Sequence, residues 1–359
     1  MRKIRVVARP PNRSDWNIPH LSALRISTVI PAYNRADLVG ETLRTVLSQS
    51  RAPDEVIVVD DGSSDGTRDV VAAFGPEVTL ICQANAGAGP ARNAGFARST
   101  GDIIHFMDSD DLCSLNFYER AASRIEAGAD MTYGPWLKTR VDGNCLHPEP
   151  LVLQQSALPL GQRMDVLTLT VEWYTVFQPC LFRRELVERA GPYRSDLKPS
   201  EDTELLYRLT AAARNIVHVP EILILYRVHP EDQVSEQNHS RRLVDRAHLW
   251  LTLREHLAER SDIGWRERRT FRVKSLFVAL EAMAHDPAKA IQLMRDTRWH
   301  DRLSYGLNHL RNRVRVRSGR SAPADRNALL QSPAPLRIDQ RALVGELGYT
   351  FANGGCRAG

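Results

Sequence analysis

Long apolar runs are absent from the 359-residue sequence: nowhere do about 18 apolar residues follow one another, so no membrane span is encoded. Cysteine is scarce. The five, at positions 82, 113, 145, 180 and 356, form no C-x-x-C pair and are odd in number, which argues against a zinc knuckle or a disulfide framework and fits a reducing compartment. The amino-terminal stretch is basic at its start, but Pro10, Pro11, Asp15 and Asn17 stand where a signal peptide needs a continuous apolar segment. Internal repeats are missing too, as is a Walker-type glycine loop. What remains, with 43% hydrophobic and 25% charged residues, is the composition of a globular chain and not of a disordered or collagen-like one.

Charge is present in near balance overall, 48 Lys+Arg against 43 Asp+Glu, but it is unevenly placed. Residues 1–240 hold 25 basic and 31 acidic side chains (net −6), and residues 241–320 hold 19 and 9 (net +10). The length fits one large domain with an appendage.

Residues 1–24 read as a loose arm. From Arg25 onward short β-branched runs alternate with helical periodicity: strands at 26–30, 55–60, 78–82 and 102–107, and helices at 36–50, 67–74 and 88–99. This alternation predicts an α/β fold with a mainly parallel sheet. Further elements follow as a helix over 117–128, a strand at 131–133, a loop over 142–165, a strand and short helix at 179–190, a helix over 201–213 and an extended segment at 218–227. Beyond Ser240 three helices are expected (241–259, about 264–285 and 287–311), then a Ser/Ala/Pro-rich stretch reading as linker or frayed tail.

Ligands bind at the carboxyl ends of strands in such sheets. The strand at 56–59 ends in Asp60-Asp61, and that at 103–107 ends in Asp108-Ser-Asp110-Asp111. An isolated D-x-D is ordinarily a solvated turn. Directly after a buried strand, and sharing an edge with a second acidic pair, the same carboxylates suit a hard divalent cation.

Four runs occur in order over some 85 residues: Thr28-Val-Ile-Pro-Ala-Tyr-Asn34, Val58-Val-Asp-Asp-Gly-Ser-Ser-Asp-Gly-Thr67, Asn85-Ala-Gly-Ala-Gly-Pro-Ala-Arg-Asn-Ala-Gly95 and Gly101-Asp-Ile-Ile-His-Phe-Met-Asp-Ser-Asp-Asp111. Together they closely resemble family 2 glycosyltransferases. Ser200-Glu-Asp-Thr-Glu204 resembles that family's E-D motif, and Tyr226-Arg-Val-His229 its downstream Y-R-x-H segment.

The resemblance spans about residues 25–235. It implies a GT-A, Rossmann-like α/β fold and an inverting transfer of a sugar from a nucleotide-diphosphate donor, a UDP-sugar by expectation, to a hydroxyl acceptor, with Mn²⁺ or Mg²⁺ as cofactor. Onto these positions it carries Asp202 as general base, Asp110 as metal ligand with His229 as a further metal or diphosphate contact, and Asp108 with Ser109 as donor contacts. Pro31, Ala32 and Tyr33 would line the nucleobase pocket, Asp61 would accept from the base imide with Asp60 close by, and Arg92 would meet the diphosphate or base. Each has a plainer reading. Glu201 and Asp202 suit a helix first turn through the dipole alone, a lone His such as His229 is usually a satisfied polar residue, and His105 within its strand is expected to be packed, not ligating.

Processive members carry Q-x-x-R-W and membrane spans, whereas Arg295-Asp-Thr-Arg-Trp299 has Arg in place of Gln and no span follows, so transfer of a single sugar is expected. The expected organisation is an arm at 1–24, the GT-A domain at 25–235, a basic helical region at 236–312 and a flexible tail at 313–359. The setting would be synthesis of a bacterial-type polysaccharide or glycoconjugate, cytoplasmic, with a carbohydrate or lipid-linked acceptor and peripheral contact between the basic helices and an anionic inner membrane face. Two alternatives stand beside this. One is a nucleotidyltransferase of related fold, although Pro31-Ala-Tyr-Asn-Arg35 lacks its glycine-rich loop. The other is a nucleic-acid-binding protein using the basic segment, against which stand the lack of a recognised motif and the repulsive acidic half; no nucleic-acid partner is expected.

Overall fold

The run Glu-Val-Ile-Val-Val-Asp at 55–60 is apolar on both faces, and it is a strand buried from residue 56 onward at the heart of the molecule. The computed structural model describes residues 23–142, 145–148, 152–158, 163–166, 175–197, 200–228, 239–295, 297, 301 and 335–351. In chain order the first elements are β1 (Ile26–Ala32), α1 (Val39–Leu47), β2 (Glu55–Asp60), α2 (Thr67–Ala72), β3 (Thr79–Cys82), α3 (Ala88–Arg98) and β4 (Ile103–Phe106). Then come β5 (Leu112–Cys113), α4 (Phe117–Glu126), β6 (Met131–Tyr133), β7 (Trp136–Asp142), β8 (Cys145–Pro148), β9 (Leu181–Arg183), α5 (Arg184–Ala190), α6 (Glu201–Ala212), β10 (Ile216–His218) and β11 (Ile224–Arg227). The carboxyl-terminal part holds α7 (His239–Ala258), α8 (Trp265–Ala282), α9 (Pro287–Met294), α10 (Ile338–Glu346) and β12 (Thr350–Phe351).

Seven strands form the main sheet in the order β10-β6-β9-β4-β1-β2-β3. β1 pairs in parallel with β2 and with β4, with Ala32 opposite Asp60 and Val29 opposite Phe106, so both acidic clusters emerge at the same edge on either side of β1. The expected mainly parallel α/β fold is present, and β9 runs antiparallel between β4 and β6. Helix α3 lies against β1 and β2 because residue 95 is glycine: a Cβ there would come within 2.3 Å of Val29 Cγ1 and 3.2 Å of Val59 Cγ2.

A second sheet, β12-β8-β7-β11-β5, was not legible in the sequence. Its hairpin β7/β8 reaches into a stretch read as loop, and Pro220 splits the extended segment expected at 218–227 into β10 and β11. Residues 335–351, expected within a flexible tail, instead form α10 and β12. β12 adds in parallel to β8, and Gln155 and Gln340 exchange amide hydrogen bonds of 2.6 and 3.0 Å. Cys82, Cys113 and Cys180 are free thiols, whereas Cys145 is disulfide-bonded, which the cysteine spacing offers no reason to expect.

Helices α7 to α9 enclose their own apolar core around Trp250, Leu253, Phe271 and Leu293. This core joins α6 through Tyr207 and through the fully buried carboxylate of Glu204, which accepts from Arg208 at 2.7 Å and from His256 at 2.8 Å. Much of the basic charge is paired locally, as in Arg260 with Asp165 and Asp262 and Arg272 with Asp301. Among the described residues no helix is long and apolar enough to cross a membrane.

Candidate active site

The site forms where β1, β2 and β4 end, because a strand that stops at the sheet edge hands its next residues to solvent-facing turns. β1 delivers buried Pro31 and Ala32 and then Tyr33, which is 47% exposed. β2 delivers Asp60 and Asp61. Asp60 is fully buried and accepts from Arg68 Nε at 2.6 Å. Asp61 accepts from Gln83 Nε2 at 2.7 Å and from the backbone N–H groups of Ala86 and Gly87 at 2.9 and 2.6 Å, so its carboxylate shapes the loop into α3. Gly87 takes φ of 104° to present that N–H.

β4 delivers the acidic turn. Asp108, Asp110 and Asp111 each offer a carboxylate oxygen within 4.8 Å of the others. Like charges this close need compensation, and it comes from three arginines. Arg92 on α3, 3% exposed, donates from Nη2 to Asp108 at 2.5 Å and from Nη1 to Asp202 at 2.9 Å. Arg35 Nε lies 3.3 Å from Asp110. Arg227 on β11 donates its backbone N–H to Asp111 Oδ1 at 2.8 Å, its Nε to the Asp110 carbonyl and Nη1 to Glu41. Thr42 on α1 closes the turn by donating to the carbonyls of Ser109 and Asp111 at 3.0 and 2.9 Å, and Ser109 itself is buried.

A divalent cation fits this set. Burial, then the Asp110 and Asp108 charges, hold the Asp111 carboxyl well above the usual carboxylate range against the pull of Arg227. Its Oδ2 is buried without a hydrogen-bond partner among the described residues, an acceptor that a cation would satisfy in an all-oxygen donor set.

Asp202 stands in the first turn of α6 beside Glu201 and Glu204, where the helix dipole favours acids. Burial raises its pKa, Arg92 opposes the rise and Asp108 adds to it, while the side chain stays 45% exposed to the cleft. Arg92 also lies over the ring of Tyr193, 5.2 Å from its centroid, and a hydrogen bond from the Tyr193 hydroxyl further opposes the rise at Asp202.

The structure thus brings together Pro31, Ala32, Tyr33, Asp60, Asp61, Arg92, Asp108, Ser109, Asp110 and Asp202 at one edge. Arg92 is turned to two carboxylates, with its side chain only 4% exposed. His229 lies outside the described residues. His105 is packed as expected: it is fully buried, and burial pushes its pKa down to about 4. Three contributors carried no signal strong enough to name in advance. They are Arg35, Arg227, and Gln178, whose Nε2 donates to Asp108 Oδ2. Arg227 lies inside the Tyr226-Arg-Val-His229 segment, which was the available clue.

Residues 27–191 match the model for glycosyl transferase family 2. The succinoglycan biosynthesis protein ExoO of Rhizobium meliloti is 29% identical over 284 residues, covering 73% of this chain and 82% of that protein. An uncharacterized glycosyltransferase of Nostoc sp. is 29% identical over 57% of this chain, and the match spans 65% of the relative's own length. Among solved structures, S. aureus TarS 1–349 in complex with UDP-GlcNAc is similar in fold, with a TM-score of 0.52 at 18% identity, over 76% of this chain and 90% of that one.

Proposed function

We propose, from the match of residues 27–191 to the model for glycosyl transferase family 2, that the chain moves a single sugar, with inversion, from a nucleotide-diphosphate sugar to a hydroxyl acceptor in polysaccharide or glycoconjugate synthesis. The observation that carries the reading is the bridge made by Arg92 between Asp108, after β4, and Asp202, on α6. It sets a donor-side carboxylate and a cleft-exposed carboxylate on either side of one buried guanidinium, so a sugar between them has a leaving-group side and an attacking side.

In the reaction the acceptor oxygen bonds to the anomeric carbon from the face opposite the diphosphate, the carbon–oxygen bond to the diphosphate breaks, and the hydroxyl proton passes to Asp202. Asp202 Oδ1 is held by Arg92, which orients the carboxylate, and the upward shift of its pKa strengthens it as a base. Asp108, Asp110 and Asp111 would hold Mn²⁺ or Mg²⁺, which when bound neutralises charge gathering on the departing diphosphate. On the nucleotide side, Asp61 uses three of about four acceptor positions for the loop and keeps one for a ring N–H such as a uracil imide. Pro31, Ala32 and exposed Tyr33 flank it, which suits a UDP-sugar.

Thermal unfolding in the presence of nucleotide sugars and Mn²⁺ tests this, since a donor that binds only the folded state must raise the transition temperature. Failure of every nucleotide sugar to do so refutes the proposal. The family match weighs against the nucleotidyltransferase alternative.

The acceptor side of the proposal is a carbohydrate or a lipid-linked carbohydrate met at the cytoplasmic face of an anionic membrane. Trp265, 67% exposed at the start of α8 with Arg266 lying over its ring at 5.6 Å, pairs an amphipathic aromatic with a cation as membrane-surface residues do. Cosedimentation with anionic but not neutral vesicles is expected, weakening with salt; equal recovery with both removes the membrane from the scheme.

A further inference from the structure

Gln178 meets the site through a side chain that is half satisfied. The residue is 4% exposed. Its Nε2 donates to Asp108 Oδ2, and this fixes the orientation of the amide, because a carboxylate accepts only from the NH2 end. Oε1 is left buried, with no hydrogen-bond partner among the described residues.

The main chain of Gln178 is held just as firmly. Its carbonyl accepts from His105 Nε2 at 2.9 Å, so that nitrogen carries the proton; His105 Nδ1 then accepts from the Tyr118 hydroxyl at 2.8 Å, and Tyr118 in turn accepts from Thr28 at 2.6 Å. A buried chain running back to β1 therefore sets where Gln178 stands. An unmet acceptor in such a rigid place is unfavourable, and that cost is removed when a donor group arrives.

The chemistry of that donor group is restricted. Phosphate oxygens bear no proton at neutral pH and cannot serve, and the nucleobase belongs on the Asp61 side of β1. Asp108 takes Arg92 on one oxygen and Gln178 on the other, and Arg92 leads on to Asp202. The region one hydrogen bond from Asp108 on the Gln178 side is thus the sugar's. Resting on the glycosyltransferase reading above, we propose that Gln178 Oε1 accepts a hydrogen bond from a hydroxyl or acylamino N–H of the transferred sugar, making Gln178 a residue that selects the donor's sugar.

The test uses calorimetric titration of the full chain, with Mn²⁺, against UDP-glucose, UDP-galactose, UDP-N-acetylglucosamine, GDP-mannose, UDP and GDP. For the donor that the wild type binds, Gln178→Met is expected to weaken the sugar nucleotide about tenfold while the matching nucleoside diphosphate changes less than about twofold. One monodeoxy form of that donor is expected to lose the same factor against the wild type and nothing further against Gln178→Met. Gln178→Asn, which keeps the amide but withdraws it by one methylene, is read the same way should Gln178→Met fail to fold. Equal weakening of sugar nucleotide and bare diphosphate, or no weakening of either, overturns the role of Gln178 while leaving the glycosyltransferase reading intact. A wild type that binds none of the six overturns that reading and this inference with it.

Discussion

Arg92 Nη1 lies 2.9 Å from Asp202 Oδ1, across 110 residues of sequence. The guanidinium is buried and its other terminal nitrogen holds Asp108, so the residue on α6 and the residue after β4 share one cation. A planar fork suits this bridge because it addresses two carboxylates at once from a fixed plane. Losing either carboxylate leaves the buried guanidinium the other, whereas losing Arg92 leaves Asp108 and Asp202 without their shared cation.

Asp202→Asn keeps an oxygen for Arg92 to bind but removes the base. Donor affinity is expected to stay within about twofold, and the turnover rate to fall by about 10²- to 10⁴-fold, the share that positioned proton transfer supplies. Steady-state rates beside calorimetric donor titration check this, and full turnover in the variant would sink the base assignment.

Asp110→Ala removes one carboxylate from the acidic turn and leaves Arg35 without its partner there. Chelation is expected to weaken donor binding by the wild type about 10- to 100-fold, and the alanine variant to bind donor that weakly already with little further response to chelator. A variant whose donor affinity still depends on Mn²⁺ as steeply as the wild type's places the cation elsewhere.

His105 ties stability to pH. Burial holds its folded pKa at about 4, below the 6.5 of an exposed imidazole, so the folded state favours the neutral ring. The contribution is complete above about pH 6.5 and is lost as pH falls toward about 4, since only the unfolded chain takes up the proton across that window; the loss amounts to about 3 kcal/mol. Urea unfolding at intervals from pH 8 to pH 4 is expected to show this decline, and His105→Asn to flatten it. An unchanged slope in the variant would assign the acid sensitivity to other groups.

Gly95→Val places a branched side chain where even a Cβ meets Val29 Cγ1 at 2.3 Å. Strands β1 and β2 cannot retreat without disturbing the sheet, so helix α3 must lift and carry Arg92 with it. A loss of about 3 kcal/mol in stability is expected, at the upper end for overpacked cores, together with weaker donor binding. Chemical denaturation measures the first and calorimetry the second; stability equal to that of wild type would refute the close packing.

Several parts of this were legible in the chain. The apolar runs at 26–30, 55–60 and 102–107 announce strands, and each acidic cluster follows its strand directly, so sequence distance and spatial distance coincide there. The second sheet was not legible, because β7 and β8 lack a clean alternation and β12 arrives from more than 200 residues downstream of its partner β8. Residues 335–351 read as tail for a related reason: they follow a Ser/Ala/Pro-rich stretch, and only the surface of that second sheet gives their apolar face something to cover.

By itself the sequence determined the type of chemistry: which carboxylates sit at strand ends and which helix opens with Glu201 and Asp202. Those are local matters, set by a strand, the turn after it and the first turn of a helix. Only the tertiary structure decided the partners. Arg92 meets Asp202 across 110 residues, Arg227 meets Asp111 across 116, and Gln178 meets Asp108 across 70. The physical reason is that an isolated charge or amide carries no mark of its partner. The pairing is imposed when the sheet fixes the strand ends and burial obliges each polar group to find the nearest complement.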